Sequence, residues 1–236
     1  MASISPRRLV VLISGSGTNL QALISALNTP ALPQTTISLV LSNRKSAYGL
    51  TRAQNATPAI PTAYLALQPY LKKNPGKTRD DYDKEVAAIV VKENPDLVVL
   101  AGWMHVLGES FLDEMYHPSE AGGEESERKP IPVINLHPAL PGTFDGTHAI
   151  ERAYAAWQNG EITKTGVMVH RVIREVDRGE PVLVSELDFR DGDSLEVFEE
   201  RLHGVEWKVI VEATKKVLDE VKPVEVSITR IAVVVQ

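Results

Sequence analysis

Apolar runs and amphipathic stretches alternate through the first half of the chain, and that rhythm predicts its elements. Leu9-Val10-Val11-Leu12-Ile13 is continuous rather than alternating, the pattern of a parallel strand covered on both faces. It runs into Ser14-Gly15-Ser16-Gly17-Thr18-Asn19 and then into a helix with Leu20, Leu23, Ile24 and Leu27 at helical spacing. Residues 37–41 read as a second strand, 47–54 as a short helix and 60–65 as a third strand. Thr78 is the expected N-cap of a long helix with Asp80 and Asp81 in its first turn and Tyr82, Val86, Ile89 and Val90 on one side. Asn94-Pro95-Asp96 breaks that helix, and residues 97–101 form another buried-looking strand.

The second half changes character. Residues 117–130 are polar and glycine-bearing without periodicity, which predicts an exposed insertion. Val133, Ile134 and Leu136 favour a strand that Pro138 and Pro141 stop near His137. A helix follows over 147–158, closed by Asn159-Gly160. Residues 165–172 and 182–189 alternate apolar and polar, as antiparallel strands do. Asp193 and Ser194 open a last long helix ended by Pro223, and the β-rich residues 228–235 suggest a late strand. Together these elements predict an α/β fold: a doubly wound, mostly parallel, Rossmann-like sheet with antiparallel strands in its C-terminal part. The 236 residues read as a single domain with an N-terminal half of about 8–115, the insertion, a second half over 131–220 and a tail from 221.

Composition narrows the function. With 43% hydrophobic residues the chain can bury one substantial core, while a net charge of -6 argues against a general binder of nucleic acid or membrane surfaces. The lack of cysteine excludes disulfides, thiolate catalysis and Cys-based metal centres. No apolar run is long enough to span a bilayer or to serve as a signal-peptide core, so the expected address is the cytoplasm.

Two stretches carry candidate chemistry. In the glycine loop, backbone N–H groups can turn toward a ligand, and the start of the following helix favours an anion. A dinucleotide fingerprint needs a small residue where Leu20 stands and an acid where Ser42-Asn43-Arg44 occurs; a Walker loop needs a lysine after the second glycine. A single phosphate monoester, with Thr18 and Asn19 as extra donors, fits better, and an ordinary strand-to-helix turn is the bland alternative. Asn135 and His137, two residues apart on a strand, face the same side. They pair an amide with an imidazole that changes protonation near neutral pH, which suits a reaction in which a carbonyl becomes an oxyanion while a proton moves. A capping Asn beside a structural His would leave the same two residues. Gly102 to Leu107 follows a strand end and could line a flat ligand site, or simply close the core edge.

Four segments, VVLISGSGTNLQAL, LVVLAGWMHVL, INLHPALP with a following GTHA, and TGVMVHRVIREVDRGEPV, give the chain a likeness to a known family. It resembles the glycinamide ribonucleotide transformylases, folate-dependent formyltransferases of de novo purine synthesis, from about Val10 to Val211. The resemblance implies the formyltransferase fold and transfer of a formyl group from 10-formyltetrahydrofolate, as co-substrate, to the amine of 5-phosphoribosylglycinamide. It assigns catalysis to His137, Asn135 and Asp177, and substrate binding to Gly17, Thr18, Asn19 and Glu206. Folate contacts fall to Arg79, to Met104, His105, Val106 and Leu107, and to Ile173, Arg174, Glu175 and Val176. His148 aligns with a histidine at the active-site edge, and a surface role at a helix start competes for it. The first half would then hold phosphate and the second would carry catalysis and folate.

The likeness also implies two small-molecule substrates, a monomer or homodimer, and neither nucleic acid nor membrane as partner. No residue cluster has metal-ligand spacing. A folate-consuming hydrolase and a non-catalytic phosphate-binding protein are the rival functions. His170 reads as a hydrogen-bonded structural histidine, and His117 and His203 as ordinary ones. Among the departures from the bacterial pattern, His105 stands where arginine is usual and Arg178 where glycine is usual.

Overall fold

A computed structural model describes residues 5–116 and 128–224. Seven strands form one sheet: β1 (Arg7–Ile13), β2 (Thr35–Ser42), β3 (Thr62–Tyr64), β4 (Leu97–Leu100), β5 (Val133–His137), β6 (Lys164–Arg171) and β7 (Pro181–Asp188). Their order is β3-β2-β1-β4-β5-β6-β7. The first five are parallel to one another, whereas β6 runs antiparallel to both β5 and β7. The expected mixed sheet is therefore present, with β4 in the middle. The chain moves outward from β1 to β3 and then crosses back to β4, which makes the β1/β4 boundary the switch point where ligands of open α/β sheets bind.

The continuous apolar run of β1 is explained by its two covered faces. Leu9, Val11 and Ile13 join a core that includes Leu20 and Leu23 of α1 (Thr18–Ala26) and Phe198, Leu202 and Val209 of α7 (Leu195–Val221). Val10 and Leu12 join the opposite core, with Tyr82, Val86 and Val90 of α4 (Arg79–Lys92) and Phe111 and Met115 of α5 (Glu109–Tyr116). The remaining helices are α2 (Tyr48–Gln54), α3 (Leu67–Lys73) and α6 (Ala149–Gln158). Thr78 caps α4 in a reciprocal box: its hydroxyl accepts from the Asp81 amide while the Asp81 carboxylate accepts from the Thr78 amide. Ser194 caps α7 in the expected place, accepting from the Val197 amide.

Helices α3 and α5 were not signalled by the apolar pattern. The first buries none of its residues and carries a proline, and the second spans only two turns before the polar stretch. Residues 117–127 of the expected insertion and the late strand over 228–235 lie outside the described residues.

Candidate functional site

Strands β1, β4 and β5 are adjacent and parallel, so the segments that follow Ile13, Leu100 and His137 emerge at one rim of the sheet. At the end of β1, Gly17 takes a left-handed conformation (φ 71°) as the N-cap of α1, and no side chain caps the helix's free amides. The loop is held close to α2: a Cβ on Gly17 would lie 2.5 Å from the Gly49 Cα. Ser14, which the sequence reading did not single out, fastens this loop to its neighbours. Its hydroxyl donates to Asn43 Oδ1 and accepts from the Met104 amide, both at 2.7 Å, and its own amide donates to the Gly102 carbonyl at 2.9 Å.

Asn19 is buried and donates from Nδ2 to Glu206 Oε2 at 3.2 Å, which brings two of the expected substrate residues together from α1 and α7. Asn19 Oδ1, also buried, has no partner. Glu206 Oε2 meets His203 Nδ1 at 3.0 Å as well, and that contact, against the opposing pull of burial, raises the His203 pKa above its ordinary value. His203 therefore belongs to this cluster and is not an incidental surface histidine. Its spacing of three residues from Glu206 on a helix was the available signal.

Asn135, His137 and Asp177 converge from β5 and from the turn after β6. Asp177 Oδ2 lies 3.5 Å from His137 Nδ1 and accepts from the Gly146 amide at 2.8 Å. Asp177 Oδ1 accepts from Asn135 Nδ2 at 3.3 Å and lies 3.4 Å from His170 Nε2. The residue holds a left-handed backbone (φ 56°), which aspartate tolerates better than most side chains. Burial alone would raise the Asp177 pKa, but the His170 contact, the Gly146 amide and the charges of the two imidazoles hold it below the usual carboxylate value. The carboxylate is thus ionised at neutral pH.

His170, expected to be structural, is a fourth member of this group. Its Nδ1 faces the Arg171 carbonyl at 2.9 Å, while Nε2 faces Asn135 Nδ2 at 3.2 Å and Asp177 Oδ1 at 3.4 Å. Antiparallel pairing of Asn135 with His170 across β5 and β6 is the cause, and the sequence could not reveal that register. The two groups that Asn135 Nδ2 addresses are themselves only 3.4 Å apart. His137 is buried between Asp177 and the Thr143 carbonyl, 3.3 Å from Nε2. Both ring nitrogens therefore face oxygen atoms.

The expected folate residues lie on three neighbouring segments. The Arg79 guanidinium donates to the Val106 carbonyl. Between Met104 and Leu107 the side chains alternate: Met104 and Val106 are 61% and 52% exposed, whereas His105 and Leu107 turn inward. The His105 ring is consequently not presented outward. It sits 2.6 Å from the buried Asp83 carboxylate, edge-on to Tyr82. Ile173 and Val176 are also exposed apolar residues, and between them Arg174 pairs with Glu109 at 3.2 Å and Asp113 at 3.7 Å. Glu175 is exposed as well. His148 is the N-cap of α6, with its ring largely exposed and 3.1 Å from Glu151, the surface arrangement foreseen as one of its two roles. Among the described residues no group of three or more His, Asp or Glu could hold a metal ion, and no helix is long and apolar enough to cross a membrane.

Known proteins resemble this chain in sequence and in shape. A family model described as Formyl transferase matches residues 7–121 and 122–214. The phosphoribosylglycinamide formyltransferase of Schizosaccharomyces pombe is 47% identical over 91% of this chain and 98% of its own length. That of Saccharomyces cerevisiae is 44% identical over 90% and 98%. The crystal structure of the phosphoribosylglycinamide formyltransferase of Bacillus halodurans superposes with a TM-score of 0.73 at 28% identity, covering 91% of this chain and 96% of that one. With the matched segments spanning nearly the whole described chain, the protein belongs to the formyl transferase family.

Proposed function

We propose that the chain transfers the formyl group of 10-formyltetrahydrofolate to the amine of 5-phosphoribosylglycinamide, a step of de novo purine biosynthesis carried out in the cytoplasm. One observation carries the reading: an amide, a buried imidazole and an ionised carboxylate meet at the same sheet rim as an uncapped, glycine-led helix start. In this reading the first half of the chain, about 8–115, seats the phosphate, and the second, 131–220, performs the transfer.

The amine attacks the formyl carbon, a C–N bond forms, and the carbonyl oxygen becomes an oxyanion. The Asn135 amide and a His137 N–H stabilise that charge. The proton lost by the amine passes through His137 to N10 of the departing tetrahydrofolate as the old C–N bond breaks. Asp177 fixes the ring and balances its charge. Gly17, Thr18 and Asn19 hold the phosphate and ribose, and Glu206 lies toward the glycinamide end. The backbone of Met104, His105, Val106 and Leu107 and that of Ile173, Arg174, Glu175 and Val176 embrace the pterin, with exposed apolar side chains as its walls. Arg79 meets the folate, and His148 stands at the rim. The chain works on these two small molecules as a monomer or homodimer, without nucleic acid or membrane as partner.

The test follows folate deformylation by absorbance with and without the ribonucleotide. Tetrahydrofolate forming only when the ribonucleotide is present supports the transfer. Equal deformylation with formate released in its absence identifies a hydrolase instead.

A further inference from the structure

Asp83 lies on α4, one turn beyond Arg79, and is 1% exposed. Its two oxygens are spent on two points of a single neighbouring loop: Oδ1 on His105 Nε2 at 2.6 Å and Oδ2 on the Gly108 amide at 2.9 Å. Arg79 takes the Val106 carbonyl between those points. The loop is tailored to the carboxylate, because a Cβ at Gly108 would come 2.8 Å from Asp83 Oδ2. A buried carboxylate is expensive to desolvate, and an apolar side chain would fill the core as well. What an apolar residue could not do is hold an imidazole and an amide three residues apart, and so set which residues of the loop face outward.

We propose that Asp83 is a positioning residue for formyl-folate recognition, fixing through His105 and Gly108 the backbone of Met104 to Leu107. This rests on the reading that this backbone holds the pterin. Asp83 touches no substrate itself. It locks the alternation in which His105 and Leu107 point inward while Met104 and Val106 remain outside, and in which the loop's remaining backbone groups keep one orientation.

Kinetics with each substrate varied, together with tetrahydrofolate binding followed by tryptophan fluorescence, test the proposal in the full chain. Asp83→Ala is expected to raise the folate KM and the tetrahydrofolate Kd about tenfold, the scale of one lost buried hydrogen bond, and to leave the ribonucleotide KM within about twofold. Asp83→Asn should recover most of that loss, since an amide still accepts from Gly108 and donates to a neutral His105 ring. Val86→Ala, which empties core space on the same helix, should lower Tm and leave the folate KM alone. If Asp83→Ala does not fold, Gly108→Ala takes its place, with the same folate-selective loss expected.

An unchanged tetrahydrofolate Kd in Asp83→Ala, with only Tm lowered, would overturn the proposal and leave the transfer reading intact. So would Val86→Ala raising the folate KM equally. Wild-type turnover of the ribonucleotide with folate, together with an undiminished folate affinity in Val106→Pro, which disrupts the Met104–Leu107 backbone, would refute the loop assignment and the proposal together.

Discussion

The Asp177 carboxylate is divided between two histidines, with Oδ2 3.5 Å from His137 Nδ1 and Oδ1 3.4 Å from His170 Nε2. One acid therefore orients the proposed proton carrier on β5 and braces it against a ring on β6 whose other nitrogen is tied to backbone. Asn135 donates into the same junction. Removing any one of these groups leaves the others misdirected, so their effects on turnover should not add.

His137→Ala, Asn135→Ala and Asp177→Ala are each expected to lower kcat by roughly 10²–10⁴-fold, the range for losing a positioned acid–base or oxyanion-stabilising group. His170→Ala should cost about tenfold, since in the proposed mechanism it acts only through Asn135 and Asp177. Combining it with Asp177→Ala should cost little beyond Asp177→Ala alone. Near-normal turnover in a folded His137→Ala protein, judged by circular dichroism, would remove the ring from the mechanism.

Much of this is legible in the sequence. The unbroken run at Leu9–Ile13, the period-2 spacing of Asn135 and His137 and the capping signal at Thr78 are local, and local signals survive folding. What the chain did not disclose is contact across distance. Ser14 joins three loops, His170 faces Asn135 through strand pairing, and His203 meets Glu206 beside Asn19. His105 was expected among the folate contacts. That expectation concerned the segment and missed the direction of the ring, which depends on Asp83, more than twenty residues earlier.

Gly17 illustrates a reason added by the fold. Its glycine was expected for closeness to a phosphate, and its neighbour across the turn demands it too, because a Cβ would sit 2.5 Å from the Gly49 backbone. The left-handed φ adds strain for any other residue. Gly17→Ala is expected to cost about 1–3 kcal/mol of stability by overpacking and to raise the ribonucleotide KM about tenfold or more, with the folate KM within about twofold. Urea denaturation and two-substrate kinetics check this. Equal rises in both KM values would show that the loop serves the whole site and not the phosphate alone.

Gly179 sits behind the carboxylate junction. A Cβ there would fall 1.6 Å from the Arg171 carbonyl oxygen and 3.2 Å from His170 Nδ1, at the point where β6 and β7 shift register. Gly179→Ala must push the turn away from β6 and carry Asp177, two residues earlier, with it. The expected result is a loss of about 1–3 kcal/mol or more in stability. A fall of about 10²-fold in kcat should accompany it, because displacements near 1 Å at reacting groups have that effect. Full activity in Gly179→Ala would mean that the turn can move without disturbing Asp177.

The pair formed by His203 and Glu206 predicts a pH signature on the substrate side of the site. Its contact with Glu206 raises the His203 pKa above the ordinary 6.5, so folding favours the protonated ring. The stabilisation it gives is complete below 6.5, the unfolded value, and is lost as pH rises through the higher folded value. Its size is held to about 1 kcal/mol or less, since the ring is partly exposed and water screens the pair. His203→Gln keeps a donor toward Glu206 at every pH but carries no charge. The wild-type protein should therefore show the higher Tm near pH 6, with the gap closing as pH climbs past the folded value of the ring. A gap that stays constant from pH 6 to about 9 would mean that the ring supports Glu206 by packing and hydrogen bonding alone, with its charge contributing nothing.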